Sequence, residues 1–211
     1  MSAQTQAPTY SIDQVKTFNS LDGGGFEARL LRDGQPIALV FDHGYGGPLA
    51  FEWKDSNAPH VPITYTAPGK DPVTSSGTPE EARLQAHIST LPSFTSPGLD
   101  FSLPMTSDVF ISEMVDTYME IKSWRTKLTR WFKTQVCTLE GDDLYTHKMA
   151  PSADAFQAVA QRHPQRTILN TLPIEEAARL VVNTARRKEG LEELPPETSA
   201  APARKPRRRG P

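Results

Sequence analysis

Two aspartates and two histidines fall within one short span of this chain: Asp42, His43, Asp55 and His60. Two carboxylates and two imidazoles form a ligand set suited to zinc or another divalent cation. Their spacing matches no established helical or strand ligand motif, and a hydrogen-bonded turn is the usual fate of such residues. A small hydrolase or metal-dependent enzyme using the Asp42-His43 loop therefore stands as an alternative reading, with no catalytic residue, metal or cofactor assigned. The neighbouring Gly44-Tyr45-Gly46-Gly47 lacks the lysine and the following helix of a phosphate-cradling loop. It reads as a turn in which glycine allows positive φ. Cys137 and His147 form a second pair, on the two strands of an expected hairpin, where both could face the same way. A lone cysteine is more often a buried apolar residue than a thiolate. No Gly-x-Ser-x-Gly, His-Glu-x-x-His or paired-cysteine pattern occurs. Glu80-Glu81 and Glu175-Glu176 are accounted for as helix starts.

The remaining chemistry is electrostatic. Lys122, Arg125, Lys127, Arg130 and Lys133 form a strip at helical spacing, with Trp124 and Trp131 interleaved. Arg186, Arg187 and Lys188, then Arg204, Lys205, Arg207, Arg208 and Arg209, extend a footprint suited to the phosphates of a nucleic acid. The net charge of −2 hides a split. Residues 1–121 carry six Lys+Arg against fifteen Asp+Glu, whereas residues 122–211 carry seventeen against ten. Such asymmetry fits contact with nucleic acid or an acidic protein, and fits equally a pair of solvated faces with a solubilising tail.

The elements that position these groups follow from periodicity. Between Gly25 and Lys54 the apolar residues Phe26, Ala28 and Leu30, then Ile37, Leu39 and Phe41, then Leu49, Phe51 and Trp53, each recur with period two. Three strands sharing one apolar face are expected, joined at Asp33-Gly34 and Gly44–Gly47. Residues 15–21 offer a fourth strand. Thr78-Pro79-Glu80-Glu81 is a helix start, within an otherwise irregular, proline-rich passage over residues 55–107 that has one candidate strand at Val61–Tyr65. From Ser107-Asp108 to about Lys133, Ile111, Met114, Val115, Tyr118, Ile121, Leu128, Trp131 and Phe132 form one broad stripe. That helix is the natural lid for Phe41, Phe51 and Trp53. A hairpin about Glu140–Asp143, a helix from Ser152 to Arg162 and a last helix ending before Gly190 complete the pattern.

The expected fold is thus α+β: a small antiparallel β-meander packed on a long amphipathic helix, followed by a C-terminal hairpin, two helices and a disordered tail. Residues 1–14 are expected to be flexible, 15–190 to form one domain, and 191–211 to be a disordered basic tail. One cysteine excludes an internal disulfide. No apolar run approaches the ~18 residues of a membrane span, and the N-terminus lacks the regions of a secretory signal. A soluble cytoplasmic protein with no membrane partner is expected.

The run Phe26–Asp55, FEARLLRDGQPIALVFDHGYGGPLAFEWKD, resembles the opening of small uncharacterised bacterial and bacteriophage proteins that share an F-x-A-x-L-x-x-D-G-x-x-I-A-x-V-x-D-x-G-x-G-G hairpin run. Ile168–Val182, ILNTLPIEEAARLVV, is similar to their close. The resemblance covers about forty-five residues. It implies an origin in a mobile element or its host, and brings no catalytic residues with it. The expectation is a non-enzymatic phage-type accessory protein that binds a macromolecule: nucleic acid through the basic half, or alternatively only a host or phage protein.

Overall fold

The computed structural model describes residues 8–21, 23–65, 71–94 and 102–194. Its architecture is α+β, with antiparallel sheets and four helices among the described residues. Where the sequence reading takes residues 15–190 together, the contacts gather into two compact units that divide between Asp116 and Thr117.

In the first unit, β1 (Tyr10–Asn19), β2 (Gly24–Arg32), β3 (Gln35–Asp42) and β4 (Ala50–Trp53) form an antiparallel meander in that order. The β2–β3 turn is Asp33-Gly34, with φ of 52° and 75°, the pair of positive angles that a two-residue hairpin requires. β1 begins at Tyr10, so residues 10–14, expected to be flexible, belong to a strand. Thr9 and Asp33 hold this end: the Thr9 amide donates to the Asp33 carboxylate at 2.9 Å, and the Asp33 amide to the Thr9 carbonyl at 2.8 Å. Residues 1–7 lie outside the described residues.

The register corrects the expected apolar face. Ile12, Leu30, Ala38 and Trp53 form one cross-strand row, and Ala28, Val40 and Phe51 the next. The residues that share a face with Phe51 and Trp53 are therefore Ala38 and Val40, both buried, not Leu39 and Phe41. Leu39 and Phe41 stand on the opposite face, in rows with Asp13, Arg29 and Glu52 and with Lys16, Glu27 and Ala50. Ile37 is buried as well. A bulge makes this compatible with a buried Ala38: Leu30 pairs with Ala38 and Leu31 with Pro36, which leaves Ile37 as the extra residue.

The passage expected to be irregular contains a hairpin, β5 (Val61–Tyr65) with β6 (Val73–Gly77), which leads into α1 (Pro79–Ile88). The Thr78 hydroxyl accepts the Glu81 amide at 3.1 Å, and Asp55 Oδ2 accepts the Glu80 amide at 3.0 Å. Two of the orphan donors at the start of α1 are thereby satisfied. Arg32 ties the end of β2 to α1 through a two-pronged bond to Glu80, at 2.9 and 3.0 Å. Tyr10 of β1 and His87 of α1 meet Phe110 of α2 (Ser107–Trp131) with ring centroids 4.8–6.1 Å apart.

The later part of α2 belongs to the second unit. There β7 (Val136–Glu140) lies between β8 (Asp143–His147) and β9 (Thr167–Ile168), both antiparallel to it. α3 (Ala153–Arg162) precedes β9, and a 3-10 turn (Leu169–Thr171) leads to α4 (Ile174–Lys188). Leu128, Cys137, Leu139, Leu169, Ala177, Ala178 and Val181 form this unit's core, with Ile121, Trp124, Trp131 and Phe132 packed against it. The stripe expected to roof the meander is therefore shared: its C-terminal half covers β7 and α4. Asn170 fixes the 3-10 turn to the start of β7, accepting the Cys137 amide at 2.7 Å and donating to the Gln135 carbonyl at 3.1 Å. Residues 191–194, expected in the disordered tail, are placed on α4 by the Leu191 amide on the Arg186 carbonyl and the Leu194 amide on Asn183 Oδ1. Residues 195–211 lie outside the described residues.

Candidate nucleic-acid interface

The cations singled out by sequence separate into two groups by what they touch. Arg125 donates to Glu175 at the start of α4 at 2.6 Å. Arg187 bridges Asp142 at 2.7 Å and Glu193 at 2.8 Å, and Lys188 meets Asp143 at 2.9 Å. Arg186 donates to the Glu192 carbonyl at 2.7 Å. The basic end of α4 is thus engaged locally, holding the β7–β8 turn and the residues that follow the helix. The guanidinium of Arg125 and the side chains of Arg187 and Lys188 all have raised pKa values, chiefly through these hydrogen bonds to carboxylates.

Lys122, Lys127, Arg130 and Lys133 form the second group. Among the described residues none of them has a carboxylate partner. Lys122, Thr126 and Arg130 recur every four residues, so they stack one above another along a single face of α2. With Met119, Ser123 and Lys127 they line a shallow concavity of about 550 Å³. The buried Leu128 and the core-packed Ile121, Trp124 and Trp131 fall on the other side of the helix. Sequence reasoning found the cations but not Ser123 or Thr126; the four-residue recurrence was the signal available. Thr126 donates its hydroxyl hydrogen to the Lys122 carbonyl at 2.9 Å, so it has no hydrogen left to offer an anion.

The two tryptophans interleaved in the strip do not extend it. Trp124 and Trp131 meet edge to face, with centroids 6.2 Å apart and planes at 72°, against the core of the unit. The Lys127 ammonium lies 4.5 Å from the Trp124 ring centroid, a cation–π contact. Arg204, Lys205, Arg207, Arg208 and Arg209 lie outside the described residues.

Neither candidate for catalysis is assembled. Asp42 Oδ1 accepts the Gly44 amide at 2.7 Å, which closes the turn. His43 is exposed and stacks between Phe41 and Tyr45 at 6.4 Å from each. Asp55 caps α1, and His60 is exposed. Among the described residues no group of three or more His, Cys, Asp and Glu side chains converges as a metal site would require. Cys137 is fully buried, and its burial pushes the thiol up to about 11, so it stays protonated. The register pairs Cys137 with Thr146 and Val136 with His147. Adjacent strand positions alternate in face, so Cys137 and His147 point to opposite sides of the sheet. His147 instead faces Thr138, 3.2 Å from its hydroxyl, and the His163 ring at 5.8 Å.

Among the described residues, no helix is long and apolar enough to cross a membrane. Comparison with protein-family models, with curated proteins and with solved structures yields no match.

Proposed function

We propose that this chain acts by binding nucleic acid through the face of α2 that carries Lys122, Lys127 and Arg130, with Lys133 in the turn that follows the helix. The observation that carries this reading is the contrast in ion pairing. Arg125, Arg186, Arg187 and Lys188 are matched to acids or carbonyls within the second unit, whereas these four, gathered about the end of α2, have no acidic partner among the described residues, as is also true of Lys148 and Arg162 elsewhere in the unit. Ion pairing within a fold leaves little field outside it, while a row of unmatched cations attracts a polyanion and releases its counterions on contact.

The test is a titration of the full chain with labelled DNA and RNA at 50 and 200 mM salt, beside the variant Lys122→Gln/Arg130→Gln. Binding that weakens steeply with salt, and less steeply in the variant, supports the reading. No binding by the full chain at low salt would overturn it.

A second reading, contact with a host or phage protein, is favoured by the open face of the meander. Phe18, Leu39 and Tyr45 are exposed to 45%, 37% and 68%, and Lys16–Glu27 and Arg29–Asp13 neutralise the charges beside them. Capture of a specific protein partner that is lost in a Leu39→Thr/Tyr45→Ser variant would support it over the first.

A further inference from the structure

We infer that the ligand of the α2 face is the sugar–phosphate backbone of a duplex, gripped without regard to base sequence; this rests on the nucleic-acid reading above. Three features of the face lead there. The first is its spacing. Four residues of helix advance about 6 Å, so Lys122 and Arg130, two such steps apart on one face, stand at roughly twice the separation of successive phosphates along one strand. A straight helix presents such a row rigidly, and a duplex presents its phosphates in an equally regular row.

The second is that the aromatic rings near the track are already engaged. Proteins that hold single strands combine a basic track with aromatic rings on which bases lie. Both tryptophans near this track are packed against the core, and the one ring adjoining it, Trp124, is covered by Lys127. A splayed base would have to displace these contacts to stack there.

The third is the donor chemistry. Base edges are read most specifically by side chains held in fixed bidentate geometry, Arg or Lys on guanine and Asn or Gln on adenine. This face has no Asn or Gln; its donors are the Lys122 and Lys127 ammoniums, the Arg130 guanidinium and the Ser123 hydroxyl, the Thr126 hydroxyl hydrogen being given to the Lys122 carbonyl. Lysine ammoniums are flexible point charges that suit phosphate oxygens, and contacts to phosphate carry no sequence information.

The experiment uses the full chain and four labelled probes of equal length: two DNA duplexes of unrelated sequence and one single strand from each. The two duplexes should bind within about threefold of one another, and each more tightly than its own single strand. In the Lys122→Gln/Arg130→Gln variant the slope of log affinity against log salt on duplex should fall by about 1.8, two contacts at ~0.9 each. A single strand that binds more tightly than its duplex would overturn the inference and leave the nucleic-acid reading standing. So would a tenfold or greater preference between the duplexes, or an unchanged duplex slope in the variant. Absence of binding to all four probes at low salt would overturn both.

Discussion

The register of β3 can be tested by placing the same residue at two adjacent positions. Val40 is fully buried, beside Ala28 and Phe51 in its row, while Leu39 is 37% exposed, beside Arg29 and Glu52. Threonine keeps the β-branched shape that strands favour. It is also nearly isosteric with valine, so Val40→Thr opens no cavity, and its cost comes from burying a hydroxyl without an assured partner. Such burial costs about 1–3 kcal/mol in proteins. Leu39→Thr exchanges a partly exposed apolar chain for a polar one and should stay within about 0.5–1 kcal/mol of the parent. Urea unfolding followed by far-ultraviolet circular dichroism gives both values, with equal m-values showing that the comparison is of stability alone. The reasoning fails if Leu39→Thr is the more damaging of the two, because Leu39 and Phe41 would then be the core-facing set.

Gly44 takes φ of +73°, and a Cβ there would lie 2.7 Å from Ser20 Oγ; Gly44→Ala should therefore destabilise by at least about 1–2 kcal/mol, measured by the same unfolding assay. Cys137 should resist a thiol reagent such as DTNB in the native protein at pH 8 and react promptly in urea, since its thiol is buried and its pKa is pushed up to about 11. Reaction at the rate of a free thiol in native buffer would contradict that burial. Burial also lowers the pKa of His87, and burial with the nearby positive charges of Arg166 and His163 lowers that of His147. The unfolded chain takes up these protons near pH 6.5 while the folded chain resists them. The stability that they leave intact at pH 7.5 should decline as pH falls below about 6.5, and His147→Gln should reduce the difference between urea midpoints at pH 7.5 and 5.5.

How far sequence reveals this fold depends on whether a local pattern had competition. The Asp33-Gly34 turn and the alternation in β2 are unambiguous, because polar Glu27 and Arg29 separate Phe26, Ala28 and Leu30. In β3 every position from Ile37 to Phe41 is apolar, so period two alone cannot say which parity faces the core. Pairing with β2 decides it, and pairing is a long-range property. β6, with the sequence VTSSG, has no apolar alternation to reveal it and exists as the partner of β5. The same limit governs the basic residues. Their positions on α2 and α4 follow from helical spacing, but the acids that occupy Arg125 and Lys188 lie 50 and 45 residues away in the chain. Which cations remain unmatched is therefore decided by tertiary structure.

β7 carries four consecutive buried residues, Val136 to Leu139, and pairs on one side with a strand reached through a two-residue turn and on the other with one reached only after α3. These two pairings close loops of very different length. Hairpins as short as β7–β8 form in about 1–10 μs as a class, whereas bringing Thr138 to Ile168 must fix the ends of a much longer segment before any ladder bond repays the lost chain entropy. The order of assembly in this unit should follow: hairpin first, then docking of β9 with Asn170, whose two bonds to the start of β7 can form only at that moment. Substitutions in the Gly141 turn should then slow folding, while Asn170→Ala should chiefly hasten unfolding.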